Sequence, residues 1–203
     1  MQIDARDVVF EVIPEGKGYN GPYSYFGWEF GLDHSFWNYI MGYKDSCSAL
    51  YEEFIKQFKL GSLEKQDTLI YPLCFLYRHT TELFIKYLFC KHVSLSESEI
   101  KDFFNKNHNL EKAWEKLEVF LIDFEVSQPM KLIEKQIDLK AVRSYVLQIQ
   151  EFDEKSMRMR YPVTKKLKES NEHPIRLKII NLNNKMVALF DTFERINSEL
   201  DEI

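Results

Sequence analysis

The stretch from Thr68 to His92, TLIYPLCFLYRHTTELFIKYLFCKH, constrains the fold more than any other part of the chain. At helical spacing Leu69, Leu73, Leu76, Leu83, Phe84, Tyr87 and Leu88 cover a broad apolar face. Phe75, Ile85 and Phe89 lie outside that face, so the helix is apolar on almost every side and is expected at the centre of a bundle. Pro72, near its start, predicts a kink. Arg78, His79, Glu82 and Lys86 are set into this helix. Spacings of three and four place His79, Glu82 and Lys86 along one stripe, with Arg78 at its margin. Buried charge is costly unless paired, so the stripe must be mutually satisfied, solvated by a cleft, or functional.

The rest of the chain supplies partners for that helix. All seven glycines fall at or before Gly61. Residues 1–32 read as a small appendage, a strand from Val8 to Ile13 followed by the Gly- and aromatic-rich loop GKGYNGPYSYFGWEFG. Its rings could stack nucleobases or pack over one end of a helical core. Residues 33–203 read as the helical domain. A first helix is expected from Asp33, its N-cap, to about Leu60, with Phe36, Ile40, Cys47, Phe54 and Phe58 among its recurring apolar residues. Ser96 and Glu99 have the spacing of a capping box for a short helix. Asn109 is expected to cap a helix with a stripe from Leu110 to Phe124, leaving His108 beside its N-terminus. Another helix is expected from Pro129 to about Gln150, and a last one from Pro174 to about Leu200 that buries Ile175, Ile179 and Met186. Between them lies the polar loop EFDEKSMRMRYPVTKKLKESNEHP. The fold class is all-α, a five- or six-helix up-and-down bundle with a small N-terminal strand and loop appendage.

Charge and cysteine usage narrow the function. The net charge is −5, but from Lys155 to Lys185 nine Lys or Arg stand against two Glu, a local balance of +7. Such an island is either a docking surface for phosphates and nucleic acid or a solvated face. Cys47, Cys74 and Cys90 follow no metal-ligand spacing, and no HExxH pair is present, so neither a metal nor a cofactor is expected. No Gly-rich phosphate loop and no GxSxG elbow occurs. No signal peptide and no membrane-spanning segment is read; free thiols and a cytoplasmic location are the expectation.

What remains is a constellation on three segments: Arg78, His79, Glu82 and Lys86; His108; and Asp153, Ser156, Arg158, Arg160 and Tyr161. An antiparallel bundle can gather these at one end. Two histidines and two arginines there suit phosphodiester chemistry, since histidine moves a proton near neutral pH and arginine stabilises phosphate charge. The competing reading is structural, with Arg158 and Arg160 anchoring the loop, for example on Glu82 or Asp153.

FLYRHTTELFIKYL, HNLEKAW, FDEKSMRMRYP and a final amphipathic helix together resemble the HEPN superfamily over about residues 65 to 200. The likeness is to members with an R-H-x-x-E-x-x-x-K helix, an H-x-L helix start and a terminal R-Y-P loop. It implies a helical bundle that forms a homodimer. Many HEPN proteins are metal-independent ribonucleases of prokaryotic antiviral defence and toxin–antitoxin systems, and others are non-catalytic binding modules. RNA or a nucleotide, and a cognate antitoxin or other defence-system protein, are therefore the implied partners. In an RNA-cleaving version His79 or His108 is the catalytic base. Arg78, Lys86, Arg158, Arg160 and Tyr161 then hold phosphate or ligand, while Glu82 and Asp153 form a structural polar network. The chain departs from the family in one respect. Catalytic members carry an arginine, four to six residues, then a histidine, and none of the seven arginines here meets a histidine at that spacing. The alternative implied by the resemblance is a non-catalytic dimerisation, ligand-sensing or protein-interaction module.

Overall fold

The computed structural model describes residues 32–106, 108–127, 137–163 and 175–202. The chain divides into two units, Met1–Phe30 and Gly31–Ile203, and all of the described residues belong to the second. The strand and aromatic loop expected in the first 32 residues lie outside the described residues, as do Pro129 and Pro174.

Six α-helices are found among the described residues: α1 (Leu32–Lys59), α2 (Leu63–His92), α3 (Glu97–Lys106), α4 (Leu110–Ser127), α5 (Leu139–Phe152) and α6 (Ile179–Asp201). The protein is an all-α bundle. A tight turn ends α1, with Ser62 N–H donating to the Gln57 carbonyl at 3.0 Å and Gly61 N–H to the Phe58 carbonyl at 3.0 Å. That pairing is a Schellman motif, and it needs a left-handed residue, which Gly61 supplies at φ 71°. The chain reverses there, so α1 and α2 pack as a helical hairpin.

α2 is the central element. It packs against α1, α4 and α6, and α5 in turn packs against α4 and α6. From Phe84 to Phe89 every residue is buried. Phe84 stacks with Phe190 and Phe193 of α6 at centroid distances of 5.6 and 5.3 Å, and Trp114 of α4 joins the same cluster. Burial on several sides explains why this helix lacks a clean polar face: it has almost no solvent side in its second half. The helix is continuous through Pro72, which is exposed, so that proline does not end it.

Two of the expected signals at helix starts are realised, whereas Asp33, expected to cap the first helix, lies inside α1, which already begins at Leu32. Ser96 and Glu99 exchange hydrogen bonds, with Ser96 N–H donating to Glu99 Oε2 at 2.8 Å. Asn109 Oδ1 accepts from Lys112 N–H at 2.9 Å. Two expected boundaries move. No single helix runs from Pro129 to Gln150, because Asp138 adopts an extended conformation and its carboxylate accepts from the N–H groups of Lys140 and Ala141, which starts α5 at Leu139. The last helix begins at Ile179, four residues after Ile175, and Ile175 is 52% exposed where burial was expected. Phe58, counted on the apolar face of α1, is also exposed, because it reaches the hairpin tip beyond the core.

Candidate functional site

α2 passes the start of α4 and the end of α5, and its polar stripe faces that junction. Glu82 is the hub. Its Oε1 accepts from Lys86 Nζ at 2.7 Å and its Oε2 from Arg78 Nη1 at 3.2 Å, both partners one helical turn away. The His108 ring places Nδ1 3.1 Å from Glu82 Oε1. Arg78, Glu82 and Lys86 are 2%, 6% and 6% exposed, so the network is closed to bulk solvent on the α2 side.

Arg78 is a three-way clamp. Besides Glu82, its Nη2 donates to the His108 carbonyl at 2.8 Å and its Nε to the Asp153 carbonyl at 3.2 Å. One guanidinium therefore ties α2 to the residue before the α4 cap and to the C-cap of α5. The planar fork of arginine fits this task, since its donors diverge in fixed directions. Gln150 reinforces the junction: its Oε1 accepts from Leu110 N–H at 2.8 Å, and its Nε2 donates to the Glu154 carbonyl at 2.8 Å. This buried side chain was not singled out from the sequence, although the spacing Val142, Val146, Gln150 places a polar residue on the apolar stripe of α5.

The loop after α5 is built on Asp153. Its Oδ1 accepts from the N–H groups of Met157 and Arg158 at 2.8 and 3.0 Å. Ser156 takes a left-handed φ of 53°, an uncommon conformation for a residue with a side chain, and its N–H donates to the Asp153 carbonyl at 3.1 Å. Neither loop guanidinium pairs with Glu82 or with the Asp153 carboxylate. Arg158 folds back, its Nη1 on the Phe152 carbonyl at 3.1 Å and its guanidinium over the Phe152 ring at 4.8 Å. Arg160 is exposed, donates from Nε to the Ser156 carbonyl at 2.6 Å, and lies over both Phe75 and Tyr161, at 5.9 and 5.6 Å. Tyr161 is 49% exposed.

His79 is separate from the Glu82 hydrogen bonds. Its ring stacks on Phe75 at 5.6 Å and 8°, and Tyr43 of α1 meets it edge-on at 4.6 Å. The ladder Tyr43, His79, Phe75, Arg160, Tyr161 thus joins α1, α2 and the loop. Burial holds the His79 imidazole below its usual pKa, the Glu82 charge opposes this, and the charges of Lys86, Arg78 and Arg160 add to the lowering. For Glu82 burial works to raise the pKa, but the Lys86 hydrogen bond and the charges of Lys86, Arg78 and His108 outweigh it and hold the carboxyl below its usual value. The two candidate bases therefore differ in kind. His79 sits in an aromatic stack and favours its neutral form, whereas His108 is an exposed ring with Nδ1 on a buried carboxylate, which turns Nε2 away from Glu82.

The structure accordingly brings Arg78, Glu82, Lys86, His108 and the Asp153 backbone into one cluster, and His79, Arg160 and Tyr161 into another beside it. Among the described residues no group of three or more His, Cys, Asp or Glu could hold a metal ion. No described helix is long and apolar enough to cross a membrane. No family model, curated protein or solved structure matches the chain.

Proposed function

We propose that this chain is a HEPN-like module that binds RNA or a nucleotide through the loop after α5, and that it does so without cutting it. The closed network around Glu82 carries this reading. Arg78 and Lys86 have internal partners, so a phosphate could reach them only by breaking a buried ion pair, which costs about 3–5 kcal/mol when one partner is lost. Their role is to hold the α4 start and the α5 end in register. Of the residues expected to hold phosphate or ligand, Arg160 and Tyr161 face outward, a guanidinium and a ring already stacked, in a segment with a local charge balance of +7. Stacking surfaces joined to positive charge bind single strands with little sequence preference. The absence of the family's arginine–histidine spacing agrees with binding in place of cleavage. A homodimer and a defence or toxin–antitoxin setting, with a partner protein, belong to the same proposal through the family resemblance.

One observation favours a second reading. His108, with Nδ1 on a buried carboxylate and an exposed ring, has the arrangement of a general base, and in that case the chain is a divergent metal-independent ribonuclease. A single experiment separates the two. Purified protein is incubated with labelled single-stranded RNA in EDTA, and both anisotropy and cleavage are followed for wild type, Arg160→Glu, Tyr161→Ala and His108→Ala. Binding without cleavage, weakened at least about tenfold in Arg160→Glu and Tyr161→Ala proteins that melt like wild type, is the expected result. Cleavage by wild type that a folded His108→Ala protein lacks would establish the ribonuclease instead. No binding by wild type would leave a protein-interaction module.

A further inference from the structure

The hairpin of α1 and α2 ends in an apolar tip. Phe58, Leu60 and Leu63 follow one another around its turn and are 61%, 69% and 71% exposed. Large apolar groups left in water together mark a contact surface. Just before the turn an open groove runs along α1, lined by Tyr51, Glu52, Ile55, Lys56, Lys59 and Leu60. No other helix contributes to its walls.

The charges of this groove are arranged symmetrically. Glu52 and Lys59 are seven residues apart, two helical turns, so they lie almost in line on the helix surface and about 10 Å apart along its axis. Both are exposed, and neither side chain has an ion pair or hydrogen bond among the described residues. Ile55 stands between them, with Tyr51 four residues before it and Phe58 three after it on the same flank. Lys56 already has a partner, since its Nζ donates to Glu53 Oε2 of the same helix at 3.0 Å. The face is therefore acidic at one end, basic at the other and apolar along the flank between.

We propose that this face of α1 is an interface with a second copy of the chain, the two α1 helices running antiparallel about a two-fold axis between positions 55 and 56. The assignment rests on the homodimer of the proposed function and gives that dimer its surface. Positions 52 and 59 are equidistant from the axis, so Glu52 of one protomer faces the partner's Lys59, and the reverse pair forms on the other side. Ile55 meets the partner's Ile55 at the axis, and Tyr51 and Phe58 continue the ridge in both directions. A parallel pair is disfavoured by the same charges, since it sets glutamate against glutamate and lysine against lysine. A partner of different sequence would need an acid and a base at this same spacing, and the chain itself already supplies them.

Charge reversal tests the assignment. Glu52→Lys makes both positions basic and Lys59→Glu makes both acidic; each variant is first shown to melt like wild type. In sedimentation velocity over a micromolar concentration series, wild type is expected to dimerise, and each variant alone to dissociate at least about tenfold more readily. An equal mixture of the two variants is expected to recover wild-type association, because the two reversed charges then meet each other while a native pair forms across the axis. The assignment is overturned if either variant alone associates like wild type, or if the mixture stays monomeric. A wild type that stays monomeric throughout removes the homodimer as well, while a dimer indifferent to both reversals removes only this interface. RNA binding through Arg160 and Tyr161 is read separately, by anisotropy on the same proteins.

Discussion

Glu82 accepts from Arg78 and Lys86 and contacts the His108 ring, all within a junction where the helix has lost its solvent side. Such a residue is far more costly to delete than to replace together with its partners. Glu82→Ala leaves two buried cations facing each other, and the expected loss is about 3–5 kcal/mol, a fall in melting temperature on the order of 10 °C for a domain of this size. The triple variant Arg78→Met, Glu82→Leu, Lys86→Met removes all three charges and keeps the volume, giving up only the bonds of Arg78 to two backbone carbonyls, so it should still melt above Glu82→Ala in calorimetry. Equal melting of the two would mean the network is not a coupled unit. Acid should act on the polar residues of α2 in two windows. His79 has a folded pKa below its usual 6.5, so the unfolded chain takes up the proton first and stability falls as pH drops from about 6.5 through the folded value. Glu82 has a folded pKa below 4.5, so its contribution is present above pH 4.5 and is lost on further acidification. His79→Phe, which keeps a ring on Phe75, should flatten the slope of melting temperature against pH between 6.5 and 5.5 and leave the loss below 4.5 intact. An unchanged upper slope would assign that window to another group.

At the scale of elements, what could be read from the chain depends on whether the signal is local. The turn after α1 is written in Gly61, and the structure gives it the left-handed φ that the turn requires. A Cβ added there meets nothing within 4 Å, so Gly61→Ala carries a purely conformational cost of about 1–2 kcal/mol, which urea denaturation should show with an unchanged m-value. The Ser96–Glu99 box and the Asn109 cap were likewise legible, since each involves residues three apart. The start of α5 was missed because the apolar residues Ile137, Val142 and Val146 continue a helical-looking spacing across Asp138, and periodicity alone does not register a break that one capping carboxylate makes. For the site, the spacing of Arg78, Glu82 and Lys86 left mutual pairing, a solvated cleft and a phosphate-binding role all open, and the structure pairs the three. The other two acceptors of Arg78 are backbone carbonyls, which carry no side-chain signature, and so the clamp could not be read in advance.

Taken as a whole, the helical unit has one buried cation joining segments that lie 30 and 75 positions away along the chain. Helix propensity and apolar burial are enough to form α2, α4 and α5 individually, but they do not fix the angle at which the α4 start and the α5 end meet α2. Arg78 and Gln150 supply that geometry through directional hydrogen bonds to backbone groups, and the loop bearing Arg160 and Tyr161 grows directly from the clamped residue Asp153. Loss of the clamp should therefore be felt at a distance and in two places together. In Arg78→Met, native-state hydrogen exchange is expected to quicken in both 110–113 and 153–158, with the second half of α2, buried on several sides, keeping its protection. Two coupled losses follow if the segments open as one unit around the clamp. Faster exchange confined to α2 would show instead that the α4 start and the loop are held by their own local bonds, and that the segment bearing Arg160 and Tyr161 is independent of the buried network.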